Sequence, residues 1–173
     1  MRRMVCRYYA NLVINEKQRR IERALRKLKV KAKLVREDVK YIVIGATMTQ
    51  PDQDGIKALM RAKNHTTERD LGMHAYIHKD GTRFSPVPPD ERSSILPRYG
   101  ENSIFIILDG GKNVKGERDQ GTFTAEQFAQ LQTQLKFYSA LYPNALIVLW
   151  RHLRGGFNPV FSLKDIGITD TSS

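Results

Sequence analysis

The chain is poor in the side chains that staple or chelate. Its 173 residues hold one cysteine, Cys6, so no intramolecular disulfide can form, and the only other soft donors are His65, His74, His78 and His152. No Cys/His cluster stands at finger-like spacing, which excludes the standard structural zinc modules, and Cys6 reads as a small buried or half-buried thiol. Long apolar runs are missing as well: nothing approaches the roughly 20 residues of a membrane-spanning helix. The basic N-terminus leads into Tyr8, Tyr9 and dense charge where a secretory signal would carry an apolar core, so synthesis in a cytoplasm is the expectation. The sequence has no internal repeat and no Ser/His/Asp arrangement. Its Gly110-Gly111 and Gly155-Gly156 pairs lack the strand-GxxxxGK-helix setting of a phosphate loop.

What the chain does have is charge in one place. The formal net charge is +11, and residues 1–36 contain 13 of the 29 Lys/Arg against only Glu16 and Glu22 of the 18 acidic residues. Residues 37–173 are left with 16 of each sign and are neutral. This asymmetry describes a basic arm, 1–36, attached to a neutral domain, 37–173, and not a domain whose whole surface suits a polyanion. Within the arm, residues 15–35 lack Gly and Pro and start at Asn15, a good N-cap. Ile21, Ala24, Leu25, Leu28 and Ala32 recur at helical spacing, predicting a basic helix with a narrow apolar stripe. Its Arg19, Arg20, Arg23, Arg26, Lys27 and Lys29 are candidate binding residues. The stripe could pack on the neighbouring domain, and the charge suits nucleic acid, an anionic envelope surface or an acidic protein groove.

Beyond Asp38 short apolar runs alternate with polar turns. Lys40–Ala46 predicts a buried strand, Gly55–Lys63 a short helix, and Met73–His78 a second strand ended by a Lys79-Asp80-Gly81-Thr82 turn. A proline-rich loop follows, Pro86 to Pro97. Ser103–Leu108 and Ala145–Trp150 read as central strands, the first running into Gly110-Gly111. Thr124–Leu141 is the clearest helix, with Thr124 as N-cap, Gln127 at the capping-box position, and Phe128, Leu131, Leu135 and Tyr138 on one face. Strands alternating with helices predict an α/β sheet domain of two or three layers.

Four segments then carry a resemblance. Leu71-Gly72-Met73-His74-Ala75-Tyr76-Ile77 with Asp80-Gly81-Thr82 resembles a G-Y-H-F/Y strand and D-G-T hairpin. Asn102–Leu108 with Gly110 resembles N-x-x-S-I-G-I-x-L-x-G, and Gly121–Gln127 resembles G-x-F-T-x-x-Q at the start of a long helix. Trp150-Arg151-His152 and Asn158–Lys164 resemble a ligand histidine and a C/D-P-G-x-F-D terminus. In this order the segments resemble the zinc-dependent N-acetylmuramoyl-L-alanine amidases, which include phage amidase lysozymes and peptidoglycan recognition proteins. The resemblance spans 38 to about 166. It implies a mixed central β-sheet flanked by helices.

Such amidases hold zinc with three protein ligands and one open position, so that the metal polarises the amide carbonyl and acidifies a bound water. The positions that the resemblance equates with ligands are Ile44, His152 and Asn158. A further expected histidine falls near Ile95, and the positions equated with catalytic side chains are Met73 and Gly156. Only His152 keeps a family ligand, since zinc binds an amide oxygen poorly beside thiolate, imidazole or carboxylate. His74 and His78 cannot substitute, because they lie about 13 Å apart at roughly 3.3 Å per strand residue; each reads as a packed or surface histidine. The expectation is therefore a catalytically inactive amidase-fold protein of phage or prophage origin, without metal or other cofactor. It would serve as a virion or binding component docked through its arm on a protein partner or phage particle. The alternative is an active endolysin-type amidase that uses zinc and hydrolyses peptidoglycan. A second alternative is nucleic-acid binding through the arm.

Overall fold

Strand formation begins where β-branched residues crowd together. The computed structural model describes residues 36–154 and 158–168; the basic helix expected over 15–35, with all six candidate binding residues, lies outside them. In chain order the elements are β1 (Tyr41–Ala46), α1 (Gly55–Lys63), β2 (Ala75–Ile77), β3 (Arg83–Phe84), α2 (Pro97–Gly100), β4 (Ser103–Leu108), α3 (Ala125–Leu141) and β5 (Leu146–Leu149). They form one five-stranded sheet in the order β3-β2-β4-β1-β5. β2, β4, β1 and β5 run parallel, and β3 returns antiparallel to β2 through the Lys79–Thr82 turn. There Asp80 accepts from both the Thr82 N–H and its hydroxyl.

Both faces of this sheet are covered, which is why β1 and β4 read as unbroken apolar runs. On one face Ile42, Ile44, Ile104 and Ile106 pack beneath Leu131, Leu135 and Tyr138 of α3. On the other, Val43, Phe105 and Ile107 meet Ile56 and Leu59 of α1, together with Met73, Ile95 and Trp150. The result is a three-layer α/β arrangement, a mixed central sheet with helices on either side.

The helix caps follow the sequence. Thr124 Oγ1 accepts from Gln127 N–H, and Gln127 Oε1 accepts in return from Thr124 N–H, closing the capping box of α3. Gln127 also reaches inward, its Nε2 donating to the carbonyls of Ile77 and Asp109, so the helix start is tied to the ends of β2 and β4.

Two expectations need correction. The strand expected over Met73–His78 shortens to Ala75–Ile77, because the Phe105 N–H bonds the His74 ring Nδ1 at 3.0 Å and not a backbone carbonyl of a longer β2. The expected central strand at Ala145–Trp150 is an edge strand over Leu146–Leu149, pairing with β1 alone and leaving Leu146 64% exposed. An apolar run marks strand character without marking sheet position, and Trp150 leaves the strand for a short turn of 3-10 helix over Trp150–His152.

Candidate functional site at the C-terminal ends of the parallel strands

Open α/β sheets take ligands beyond the carboxyl ends of their parallel strands, and here those ends are Ala46, Ile77, Leu108 and Leu149. Just past them lies a polar network centred on Asp109. Its Oδ1 accepts from the hydroxyls of Thr47 and Thr49, each at 3.2 Å, and Tyr76 hydrogen-bonds the same carboxylate. The threonine hydroxyls also pair at 2.6 Å, and Thr47 Oγ1 receives the Gly110 N–H at 2.9 Å. Burial, with the neighbouring Asp109 charge, pushes the Tyr76 phenol far above its ordinary range, so it stays protonated and acts as a donor. The first residue of α1, Gly55, sits against this network: a Cβ there would collide with the Asp109 carboxylate and the Tyr76 hydroxyl. The sequence reading missed this cluster. Its one signal was the Thr47-Met48-Thr49 pair following a buried strand, with Asp109 ending another.

The residues singled out from sequence are spread over different environments. Ile44 is wholly buried, facing the α3 side of the sheet among aliphatic neighbours. Met73 and Ile95 are wholly buried on the opposite face. Gly156 lies outside the described residues. His152 is exposed. Asn158 is only 2% exposed, its Oδ1 accepting from Ala46 N–H and its Nδ2 donating to Ala46 C=O, both at 3.1 Å. The Thr47 N–H turns to Leu108 on β4, so the Ala46 groups point to the other side, where β5 has already ended. The Asn158 amide thus prolongs the β-ladder beyond β5 and uses both of its own ends to do so. His74 is buried too, Nδ1 accepting from Phe105 N–H and Nε2 donating to Glu91 C=O. Desolvation holds its imidazole down at about 4, so the ring is neutral in ordinary buffers. Among the described residues, no three His, Cys, Asp or Glu side chains lie close enough to share a metal ion.

No protein-family model matches the chain. Two comparisons do find relatives. The endolysin of Escherichia phage T7 is 28% identical over 130 residues, covering 75% of this chain and 85% of the relative; that of Enterobacteria phage K11 is 25% identical with the same coverage. Over three quarters of its length the chain is similar to phage endolysins. Among solved structures, the N-acetylmuramoyl-L-alanine amidase LysC from Clostridium intestinale URNW superimposes with a TM-score of 0.56 at 21% identity, covering 75% of this chain and 83% of LysC. The Ph2119 endolysin from a Thermus scotoductus MAT2119 bacteriophage gives 0.58 at 19% identity, covering 77% and 86%. These two likenesses establish the amidase-like fold, in agreement with the four sequence segments.

At the same end of the sheet the packing differs from what the motifs alone conveyed. Trp150 is 5% exposed and stacks edge-on against Phe105, with ring centroids 6.2 Å apart. It covers Gly45, where an added Cβ would lie 2.6 Å from the indole Cε3 and 2.8 Å from Ile107 Cδ1. The Lys63 ammonium stands 5.8 Å from the centre of the Trp150 ring.

Proposed function

We propose that the chain is an endolysin-type protein directed at bacterial peptidoglycan. One observation carries the reading: phage endolysins align with it over 130 residues and over 85% of their own length. Its hydrolytic form would be cleavage of the amide between N-acetylmuramic acid and L-alanine, the activity in the name of the structural neighbour LysC. The comparisons favour this endolysin reading over a virion role.

Within the family that hydrolysis runs through zinc. The residues here do not fit the ion in the family's way. Ile44 has no donor atom, and Asn158 spends its amide on the Ala46 backbone; His152 alone offers an imidazole. The intervening Gly155-Gly156-Phe157 adds no ligand side chain. No metal-dependent step is derived for this chain. The same contacts favour a second reading, a non-hydrolytic amidase fold kept by a phage or prophage as a binding or virion component.

Incubation with purified sacculi, with and without added zinc, separates these readings. Soluble fragments with a newly freed L-alanine amino group are the expected product of a hydrolase, whereas pelleting with the sacculi without release is that of a binder. A chain that neither pellets nor releases fragments contradicts the peptidoglycan reading and leaves the virion role.

A further inference from the structure

We infer that the chain recognises peptidoglycan without a metal, because Trp150 closes the end of the sheet where the amidase resemblance implies the first metal ligand. The ligand in this inference rests on the reading above; the closure of the metal position does not.

The closure follows from three contacts at the end of β1. The first ligand position that the amidase resemblance implies is Ile44, and Gly45 follows it near the end of β1. The Ile44 side chain is locked in the aliphatic core beneath α3, so a polar group at that position would point into packed hydrocarbon. Position 45 faces the other way, and the Trp150 indole fills its space so closely that not even a Cβ fits. The glycine and the tryptophan are therefore complementary, one supplying the hollow that the other occupies. On the β5 side of the same strand end, Asn158 is held by two hydrogen bonds to Ala46, and withdrawing its amide would strand a buried N–H and a buried C=O. A protein surface remains around this plug, with the polar network of Thr47, Thr49, Tyr76 and Asp109 at the same edge.

Trp150 is the only tryptophan, so its emission reports on the plug directly. The chain would be equilibrated with excess zinc, desalted and assayed for metal, while emission and melting midpoint are followed with and without zinc. The expected result is substoichiometric zinc with both unchanged; near-stoichiometric zinc overturns the closure. Gly45→Ala should push the indole outward, shifting its emission to the red and raising its quenching by acrylamide, and an unaltered spectrum would contradict the packing argument. Co-sedimentation with sacculi should persist in a zinc chelator, whereas binding lost on chelation overturns metal-independent recognition. If the zinc-free chain fails to pellet even without chelator, the peptidoglycan reading fails while the closure of the metal position stands.

Discussion

His74 shows how one buried side chain links packing to pH. The unfolded chain binds a proton on this ring near the ordinary value of 6.5, while the native ring, desolvated beside β4, resists protonation down to about 4. A histidine depressed in the native state stabilises the fold fully above pH 6.5, and that contribution is lost as pH falls from 6.5 toward 4. A gap of this size corresponds to about 3 kcal/mol. His74→Gln can still accept from Phe105 N–H and donate to Glu91 C=O, but it takes up no proton. Urea denaturation at pH 7 and pH 4.5 should therefore show a smaller loss for the variant than for the wild type. An equal loss would place the acid sensitivity in the carboxylates instead. Asn158 is the other residue whose bonds carry a clear cost. Asn158→Ala leaves the Ala46 N–H and C=O unpaired in a buried setting and should destabilise by about 3 kcal/mol. A denaturation midpoint within error of the wild type would show that solvent replaces the amide.

At the scale of elements, α3 and the strand ends act as one unit. Thr124 contributes a conventional cap, and its hydroxyl also donates to Lys79 C=O at 2.7 Å. Gln127 closes the capping box and, fully buried, also bonds the carbonyl of Ile77, the last of β2, and that of Asp109, just past β4. Loss of an N-cap typically costs about 1 kcal/mol, whereas a buried polar side chain serving three backbone groups costs about 2–3 kcal/mol when removed. Gln127→Ala should accordingly be the more damaging of the two, and a reversed order in thermal melts would contradict the anchoring role. The capping box was legible in Thr124-Ala125-Glu126-Gln127 because its partners are three residues apart. That Gln127 also reaches Ile77 and Asp109 was not legible, since those carbonyls lie 50 and 18 residues away. The same separation explains the shortened β2 and the edge placement of β5, where local composition gives strand character but not the neighbour across the ladder.

For the whole molecule the charge distribution sets the expectation. All of the net +11 resides in residues 1–36, and the described domain begins where the excess ends. If that segment draws the chain to an anionic envelope surface or to nucleic acid, adsorption should fall steeply with added salt. Replacing Arg19, Arg20, Arg23, Arg26, Lys27 and Lys29 with glutamine should then remove most low-salt adsorption while leaving the domain's melting midpoint unchanged. Co-sedimentation insensitive to both salt and these substitutions would assign binding to the neutral domain.

The order of strands and helices, the capped α3 and the likeness to amidase-like endolysins were all readable along the chain. Their signals are local: β-branched runs, turn residues, a four-residue capping box, and short motifs in a fixed order. What occupies the sheet edge was decided only by tertiary packing. Gly45 looks like an ordinary gap in a strand until Trp150, from the far end of the sheet domain, is laid over it, and Asn158 looks like a weakened ligand until both ends of its amide are seen bound to Ala46. Contacts between residues a hundred positions apart form because several strands bring them to one end of a common sheet, and short-range patterns carry no record of that geometry.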